Sequence, residues 1–443
     1  MKKGLFTPTQ VLAIGFIMII LVGAVLLSLP ISTIDGKGTP FLTALFTSTS
    51  ATCVTGLVLV DTGTYFSIFG QLIILFLIQV GGLGFMTFAT LIAIILGRKI
   101  TLKDRMVLQE ALNKGTLDGV VRLVRQVIEI TFVIEGVGAL VLSLRLAQEM
   151  NWYKAVYFGI FHAVSAFNNA GIDLFGHFNS LTQYAGDIVI NITIASLIIL
   201  GGLGFVVISE VLIHKGKKLS LHSLVVLKAT LGLIVIATAL IFLSEFTNPL
   251  TMGNVNLKTK VLSSFFQGVV PRTAGFNTIA LSEMRTITQL LIIILMFIGA
   301  APGSTGGGIK VTTFVTLFLY IRASYQGKSE TTIMERTLPH DLVQKAVTLT
   351  FLAGVLILVI TATLTLTEKA DFITLLFETM SAFGTVGLSL GVTPKLSPAG
   401  QIAIILTMYI GRVGPLTLAY AFAQKRLASL PQVKYPEERI LIG

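Results

Sequence analysis

A pattern of sixteen residues that ends in glycine occurs four times along this chain. The copies read FLTALFTSTSATCVTG (41–56), VYFGIFHAVSAFNNAG (156–171), KVLSSFFQGVVPRTAG (260–275) and FITLLFETMSAFGTVG (372–387). Each has about ten amphiphilic residues, or about three helical turns, which is too short to cross a bilayer core of ~30 Å. A half-helix followed by a short polar run and a glycine favours a re-entrant loop over a full span.

Longer apolar segments lie on both sides of every copy. Only 12% of the 443 residues are charged and 54% are apolar, whereas soluble domains have about 25% charged residues, so the chain is predicted to be an integral membrane protein. The apolar run that begins at Val11 has no A-x-A cleavage pattern and is interpreted as a retained first span. The predicted spans cover residues 9–30, 70–96, 124–147, 186–212, 224–245, 286–320, 343–367 and 399–424.

The chain therefore repeats one unit four times, and each unit consists of a span, a re-entrant loop and a second span. The second spans repeat as well, because IQVGGLGFMTF (78–88) and IILGGLGFVVI (198–208) are nearly the same string, and Gly299 and Gly411 take the equivalent places in the other two. A fixed internal period is strong evidence for a repeat architecture. The sequence predicts an all-α membrane protein with pseudo-four-fold symmetry around a central pore. Its predicted pore units are residues 1–100, 101–220, 221–335 and 336–443.

The basic residues lie mainly in the connectors between these units, which explains the net charge of +11 without a nucleic-acid partner. The positive-inside rule then places both termini and the unit junctions in the cytoplasm, and all four units enter the membrane in one orientation. The residues concerned are Lys2, Lys3, Arg98, Lys99, Lys103, Arg105, Lys114, Arg122, Arg125, His214, Lys215, Lys217, Lys218, Lys228, Arg322, Lys328, Arg336, Lys345, Lys425 and Arg426.

Four loops that converge on one axis can replace the hydration shell of a cation with backbone carbonyl oxygens. Glycine permits the required backbone angles, and the half-helices would direct their negative C-terminal ends at the ion. Alternatively, each glycine only terminates a buried helix. The predicted ion-binding residues are Cys53, Val54, Thr55, Gly56, Asn168, Asn169, Ala170, Gly171, Thr273, Ala274, Gly275, Thr385, Val386 and Gly387.

The four-fold plan and the string Thr385-Val386-Gly387, which looks like part of the potassium-channel signature, resemble the Trk/Ktr/HKT superfamily of potassium transporters. The resemblance covers about residues 9–424. Because the first span begins almost at once, the chain looks most like a KtrB-type membrane subunit. Glycine at all four loop positions, Gly56 included, implies K⁺ as the transported ion. The resemblance also implies a homodimer in a bacterial plasma membrane, a cytosolic nucleotide-binding regulatory subunit of the KtrA type, and Na⁺ dependence without a located site.

The segment IGAAPGSTGGGIK (298–310) interrupts the apolar run 286–320. It is not predicted to be a P-loop, because no strand precedes it and Ile309 follows the last glycine where that motif requires lysine. A helix broken at membrane depth is tolerated only where it lines a cavity or is buried in protein. It is either a gate below the loops, as the resemblance also implies, or a structural helix break. The predicted gate residues are Gly299, Ala300, Ala301, Pro302, Gly303, Ser304, Thr305, Gly306, Gly307, Gly308 and Arg412.

Arg412 belongs to this set because it lies inside the last apolar span, where a charge costs about 2.5–3.5 kcal/mol on the translocon scale. It is predicted to pair with polar groups of the 299–308 segment and to repel cations; a structural ion pair is the alternative. Glu129, Glu135 and Arg145 are interpreted as mutual pairs or an interface. His162 and Glu378 occupy the same position, nine residues before the glycine, and are predicted to take part in hydrogen bonding of the half-helices.

The predicted function is K⁺ translocation across the plasma membrane. The alternative is a sodium-coupled solute symporter, although that class normally has inverted repeats and two broken helices. An enzyme is not predicted, because a catalytic site would require clustered His, Asp or Glu and the five histidines are scattered. Cys53, the only cysteine, excludes an internal disulfide and a Cys-based metal site. No covalently bound cofactor is expected. Membrane lipid is expected as a partner.

Overall fold

The computed structural model describes residues 7–96, 100–111, 119–214, 219–415, 436 and 438. The last predicted span is therefore described only as far as residue 415. Ten of the basic residues that predict the orientation also lie outside the described residues, namely Lys2, Lys3, Arg98, Lys99, Lys114, Lys215, Lys217, Lys218, Lys425 and Arg426.

The regular secondary structure of the described chain is helical apart from one small hairpin. The first two repeats contain α1 (Pro8–Ser28), α2 (Phe41–Thr52), α3 (Thr62–Tyr65), α4 (Ile68–Leu83), α5 (Phe85–Ile95), the connecting α6 (Leu102–Ala111), α7 (Val120–Leu146), α8 (Trp152–Phe167), α9 (Ile188–Leu203) and α10 (Phe205–His214). The last two contain α11 (Leu221–Glu245), α12 (Leu257–Val269), α13 (Thr286–Phe297), α14 (Val311–Tyr325), α15 (His340–Thr367), α16 (Phe372–Gly384) and α17 (Pro398–Val413). A small antiparallel hairpin of β1 (Thr332–Ile333) and β2 (Arg336–Thr337) separates α14 from α15.

Each repeat begins with a long apolar helix. The helices α1, α7, α11 and α15 have 21, 27, 25 and 28 residues, and each is long and apolar enough to cross a membrane. The outward face of α15 carries large apolar side chains such as Phe351, Leu358 and Leu366, which are 69%, 67% and 88% exposed. A face of this kind is suited to lipid, in which apolar exposure has no cost.

The second spans differ from the prediction. Residues 70–96 and 186–212 are not continuous spans, because α4 and α5 meet at 96° and α9 and α10 meet at 100°. The bends lie at Gly84 and Gly204, which have φ of +81° and +89° in the left-handed region. Glycine adopts that region without steric cost, so the string GGLG ends one helix and starts another. The predicted interruption of 286–320 is confirmed, since residues 298–310 separate α13 from α14.

The half-helices α2, α8, α12 and α16 pack on their own spans, and glycines allow the closest approaches. A Cβ added at Gly81 would overlap the carbonyl oxygen of Thr52, and one at Gly201 that of Phe167. The same relationship joins Gly411 to Phe383. The second-span glycines of the first, second and fourth repeats thus contact the last turn of their half-helix, whereas Gly299 packs against Gly307.

Candidate ion pathway

The four loop glycines meet around one point, which we call the glycine ring. A Cβ added to each glycine would come within 3.0 Å of the carbonyl oxygen of a residue in the next loop. The pairs, glycine first, are Gly56 with Ala170, Gly171 with Ala274, Gly275 with Val386, and Gly387 with Thr55. Because the sequence of contacts runs through loops one, two, three and four and returns to one, the loops surround a single axis in chain order.

The loops share an unusual backbone conformation. The ring glycines have φ of +94°, +67°, +66° and +88°, and in each loop the residue two positions earlier is also left-handed. These residues are Val54, Asn169, Thr273 and Thr385, with φ of 55°, 59°, 90° and 50°. Positive φ is a genuine outlier for a β-branched residue, and such strain is typical of sites where function requires it.

Hydrogen bonds explain why three of the loops have one shape. The backbone N–H that precedes the ring glycine donates to the carbonyl of the serine five residues earlier, at 2.8 Å in each case. The donor–acceptor pairs are Thr55 with Ser50, Ala170 with Ser165, and Val386 with Ser381. The third loop lacks the serine and differs: Ala274 N–H donates to Val270 at 3.0 Å, after a 3₁₀ turn that contains Pro271.

The serine side chains have three different environments. Ser50 Oγ accepts from the backbone N–H of Gly56 at 3.0 Å. Ser165 Oγ donates instead to the carbonyl of Ile172 at 2.7 Å. Ser381 Oγ is buried without a hydrogen-bond partner among the described residues. The repeat therefore keeps the residue type, while its side-chain contact changes from loop to loop.

Two half-helices hold the chain that follows their glycine. His162 Nε2 accepts from the backbone N–H of Leu174 at 3.3 Å, and its Nδ1 contacts the carbonyl of Phe158 at 2.7 Å. Glu378 accepts from the hydroxyls of Ser389 and Thr393, at 2.8 Å and 2.5 Å. Both side chains are buried. The predicted pore-helix hydrogen bonding is present at His162, which contacts Phe158 in α8, whereas Glu378 bonds to residues that follow its ring glycine.

Residues 298–310, which we call the intramembrane loop, lie directly against the ring loops. Gly307 N–H donates to Thr385 Oγ1 at 2.9 Å. Thr305 Oγ1 lies 3.4 Å from the carbonyl of Phe167, at the end of α8. A Cβ added at Gly306 would overlap Thr273 Oγ1. The loop therefore contacts three of the four loops that form the ring.

The intramembrane loop is also tied to the bend between α9 and α10. Ala301 N–H donates to the carbonyl of Gly202 at 3.0 Å, and Phe205 N–H donates to that of Gly303 at 2.9 Å. Lys310 Nζ donates to the carbonyl of Gly306 at 2.6 Å, which closes the loop on itself. The sequence pattern included Lys310 in the segment but did not assign it a contact.

Arg412 donates to backbone carbonyls on two elements. Nη1 donates to Thr305 in the intramembrane loop, and Nη2 donates to Gly81 and, at 3.2 Å, to Gly82 in α4. No ion pair involves Arg412 among the described residues. The predicted contact with the 299–308 segment is therefore present, and the alternative of a structural ion pair is not.

Two cavities share none of their lining residues. The first, of about 680 Å³, is bordered by all four ring glycines and by Asp61 and Asp173. The second, of about 300 Å³, is bordered by Gly306, Gly308, Lys310 and Arg412. The glycine ring therefore borders one open space, and the intramembrane loop with Arg412 borders another.

Glu129, Glu135 and Arg145 do not pair with one another, but the alternative of an interface holds for Glu135 and Arg145, which contact other helices. Glu129 pairs with Arg125 at 2.9 Å on an exposed face, and Arg145 pairs with Glu149 and Asp187, both at 2.6 Å. The three residues are more than one helical turn apart, so local partners compete successfully. Glu135 instead contacts the second ring loop, a role that the sequence pattern did not reveal.

Comparison with known proteins agrees with this geometry. The family model TrkH, described as a cation transport protein, matches residues 12–431. The Ktr system potassium uptake protein B of Bacillus subtilis is 46% identical over 439 residues, which cover 99% of this chain and 97% of that protein. The potassium/sodium uptake protein NtpJ of Enterococcus hirae is 40% identical, with 99% and 97% covered.

The fold has a solved counterpart as well. The crystal structure of the potassium transporter TrkH from Vibrio parahaemolyticus superposes with a TM-score of 0.75 over 95% of this chain and 86% of that one, at 18% sequence identity. That likeness establishes the pseudo-symmetric helical fold, in agreement with the predicted architecture. With a family model over nearly the whole chain and relatives above 30% identity, the chain belongs to the TrkH family of cation transport proteins.

Proposed function

We propose that this chain is the pore-forming subunit of a Ktr-type system that carries K⁺ across the plasma membrane of a bacterium. The observation that carries the proposal is the closed glycine ring, in which every glycine packs against a carbonyl of the next loop. Full-length relatives named for potassium uptake support the choice of ion. They give no support to the alternative of a sodium-coupled solute symporter.

The ring acts as the selectivity filter. Carbonyl oxygens replace the hydration shell of K⁺ without a buried formal charge. The residues that supply them are the four ring glycines and the two or three residues before each, as predicted from the sequence. The left-handed residues at Val54, Asn169, Thr273 and Thr385 shape these loops. The negative ends of α2, α8, α12 and α16 add an electrostatic contribution that favours a cation.

The intramembrane loop and Arg412 form the gate. The guanidinium lies where the conduit leaves the filter, and its charge opposes a cation in surroundings of low dielectric constant. Its Nη1 donates to Thr305 and its Nη2 to Gly81 and Gly82, and these bonds hold the intramembrane loop closed against α4. A regulator can open the path by breaking these few bonds while the spans stay in place.

The remaining parts of the proposal extend to the assembly. The subunit forms a homodimer with both termini in the cytoplasm, and a KtrA-type nucleotide-binding subunit docks on its basic inner face. Each pore unit, 1–100, 101–220, 221–335 and 336–443, supplies one ring loop. Na⁺ acts as a coupling or activating ion, which is supported by the name of the Enterococcus relative.

Rubidium uptake tests the function. Cells that lack their own potassium uptake, and that express this chain with a KtrA-type subunit, should accumulate Rb⁺ and should lose the signal when excess K⁺ is added. Excess Na⁺ should compete far less well. Equal competition by Na⁺ would contradict a K⁺ filter, and absence of uptake from well-expressed protein would contradict the function.

A further inference from the structure

A buried carboxylate lies between the first and second repeats, behind the second ring loop. Glu135 is halfway along α7 and only 5% exposed. No ion pair involves it among the described residues. Its oxygens instead accept from two side-chain amides, Gln79 Nε2 at 3.2 Å and Asn168 Nδ2 at 2.9 Å. A carboxylate at membrane depth is costly and is a candidate for function by default.

The amide of Asn168 has its orientation imposed by these neighbours. Its Nδ2 faces three oxygens at 2.9 Å, namely Gln79 Oε1, Glu135 Oε1 and the carbonyl of Val164. An amide nitrogen carries two protons, so every proton has an acceptor. The opposite orientation would direct the amide oxygen at the carbonyl of Val164 and at Gln79 Oε1, so the hydrogen-bond network favours the assigned orientation.

Asn168 is also the residue at which α8 ends and the ring loop begins, three positions before Gly171. Its Oδ1 is turned away from Glu135 and lies against Gly82, where an added Cβ would overlap it. The side chain is thus wedged between α7 and α4. The matching positions in the other loops hold Cys53, Arg272 and Gly384, so this support belongs to the second loop.

We propose that Glu135 is a positioning residue that fixes the second ring loop and thereby sets the preference for K⁺ over Na⁺. The inference rests on the proposed function, because it requires the second loop to be part of the filter. Glu135 joins α7 to α4 through Gln79 and to the end of α8 through Asn168. Glu135 can therefore hold the end of α8, and the carbonyls that follow it, at a spacing suited to the larger ion.

The test uses the full chain reconstituted in lipid vesicles, with Rb⁺ flux measured against increasing Na⁺. Glu135→Leu should lower the K⁺-over-Na⁺ preference by about tenfold, since lost support around ion ligands typically costs about 10- to 100-fold. The double variant Gln79→Glu with Glu135→Gln keeps one carboxylate and one amide in the same space, and it should restore most of the preference. Glu129→Gln, on the exposed face of the same helix, should leave it unchanged.

Further variants separate the possible failures. Gly171→Ala is measured alongside, because it tests the filter itself. If Gly171→Ala loses the preference while Glu135→Leu keeps it, the positioning role is wrong and the proposed function stands. If both variants keep the preference, the second loop is not part of the filter, and the positioning role that rests on it is wrong as well. A swapped double variant that restores nothing would also overturn the proposal, because the defect would then come from packing.

Folding is checked by thermal unfolding of the purified variants. If Glu135→Leu does not fold, the K⁺-over-Na⁺ preference is measured in Gln79→Met instead. That variant removes one amide partner of Glu135 and leaves Glu135 itself in place. A reduced preference in that variant supports the proposal, and an unchanged one contradicts it.

Discussion

The backbone N–H of Gly307 donates to the hydroxyl of Thr385 at 2.9 Å, which joins the intramembrane loop to the fourth ring loop. Thr385 lies two residues before Gly387 and has a φ of 50°. A movement of the intramembrane loop therefore removes a hydrogen bond from a residue in a strained conformation. The proposed gate and the proposed filter are therefore in direct contact.

Gly56→Ser should shift selectivity toward Na⁺. A Cβ at this position would overlap the carbonyl oxygen of Ala170, and φ is +94°, so the first loop must move. If the displaced carbonyls lose about 1–3 kcal/mol of the difference in binding free energy between K⁺ and Na⁺, the preference for K⁺ falls by roughly 5- to 150-fold. The preference for K⁺ over Na⁺ is measured by the competition of Na⁺ with Rb⁺ uptake.

Gly36→Ser is the matched control for that substitution. Gly36 also has a positive φ, of +69°, but an added Cβ would meet nothing within 4 Å. Selectivity should stay as in the wild type. If Gly56→Ser and Gly36→Ser behave alike, the first loop does not belong to the filter.

The three loop serines should respond differently to alanine. Ser50→Ala leaves the buried N–H of Gly56 without its acceptor, and Ser165→Ala does the same to the carbonyl of Ile172. A buried polar group left unpaired costs about 1–3 kcal/mol. Ser381→Ala removes a hydroxyl without a partner in the described structure and should cost less than either. Thermal unfolding in detergent ranks the three variants by stability. An equal loss of stability at all three positions would contradict these contacts.

Gly201→Ala should destabilise the protein by about 1–3 kcal/mol, as expected for overpacking. The added methyl would overlap the carbonyl of Phe167 at the end of α8. Gly354→Ala on α15 is the control, because a Cβ there meets nothing within 4 Å. Alanine is a better helix former than glycine by about 0.8–1.0 kcal/mol, so this variant should be neutral or more stable. Equal destabilisation would show that close packing is not what selects glycine.

Arg412→Ala should raise basal Rb⁺ flux and weaken its dependence on the nucleotide-binding subunit. The substitution removes the charge in the conduit and the bonds to Thr305, Gly81 and Gly82. A barrier lowered by about 1.4 kcal/mol raises flux roughly tenfold. Arg412→Lys should lie in between, because it keeps the charge but not the fork of donors. Arg125→Ala, on an exposed face, should leave basal Rb⁺ flux unchanged. Lower flux in well-folded Arg412→Ala would refute the gate.

Deleting residues 301–306 should also raise flux if the intramembrane loop closes the conduit. Combined with Arg412→Ala, the deletion should give less than the sum of the two logarithmic effects, because both remove one barrier. Simple addition would mean that Arg412 and the loop act independently. A correctly inserted deletion variant with normal flux would favour the structural helix break.

Local sequence patterns determined much of this architecture. Glycine at a constant distance after a half-helix predicted the loops that form the ring, since the left-handed φ of Gly56 or Gly387 is a local requirement. The run of glycines with Pro302 predicted the interruption at 298–310. The depth of Arg412 in an apolar run predicted a polar partner nearby. Each of these signals depends on a residue and its immediate neighbours along the chain.

Only the tertiary structure decided the rest. Glycine is common within membrane helices, so GGLG alone does not distinguish a straight span from the bends at Gly84 and Gly204. At Gly204 the bend coincides with hydrogen bonds from the intramembrane loop, about one hundred residues later in the chain. The contact of Glu135 with Asn168 and Gln79 likewise joins three separate helices. A buried carboxylate binds whichever donors packing brings to it, and packing between repeats leaves no periodic trace in the sequence.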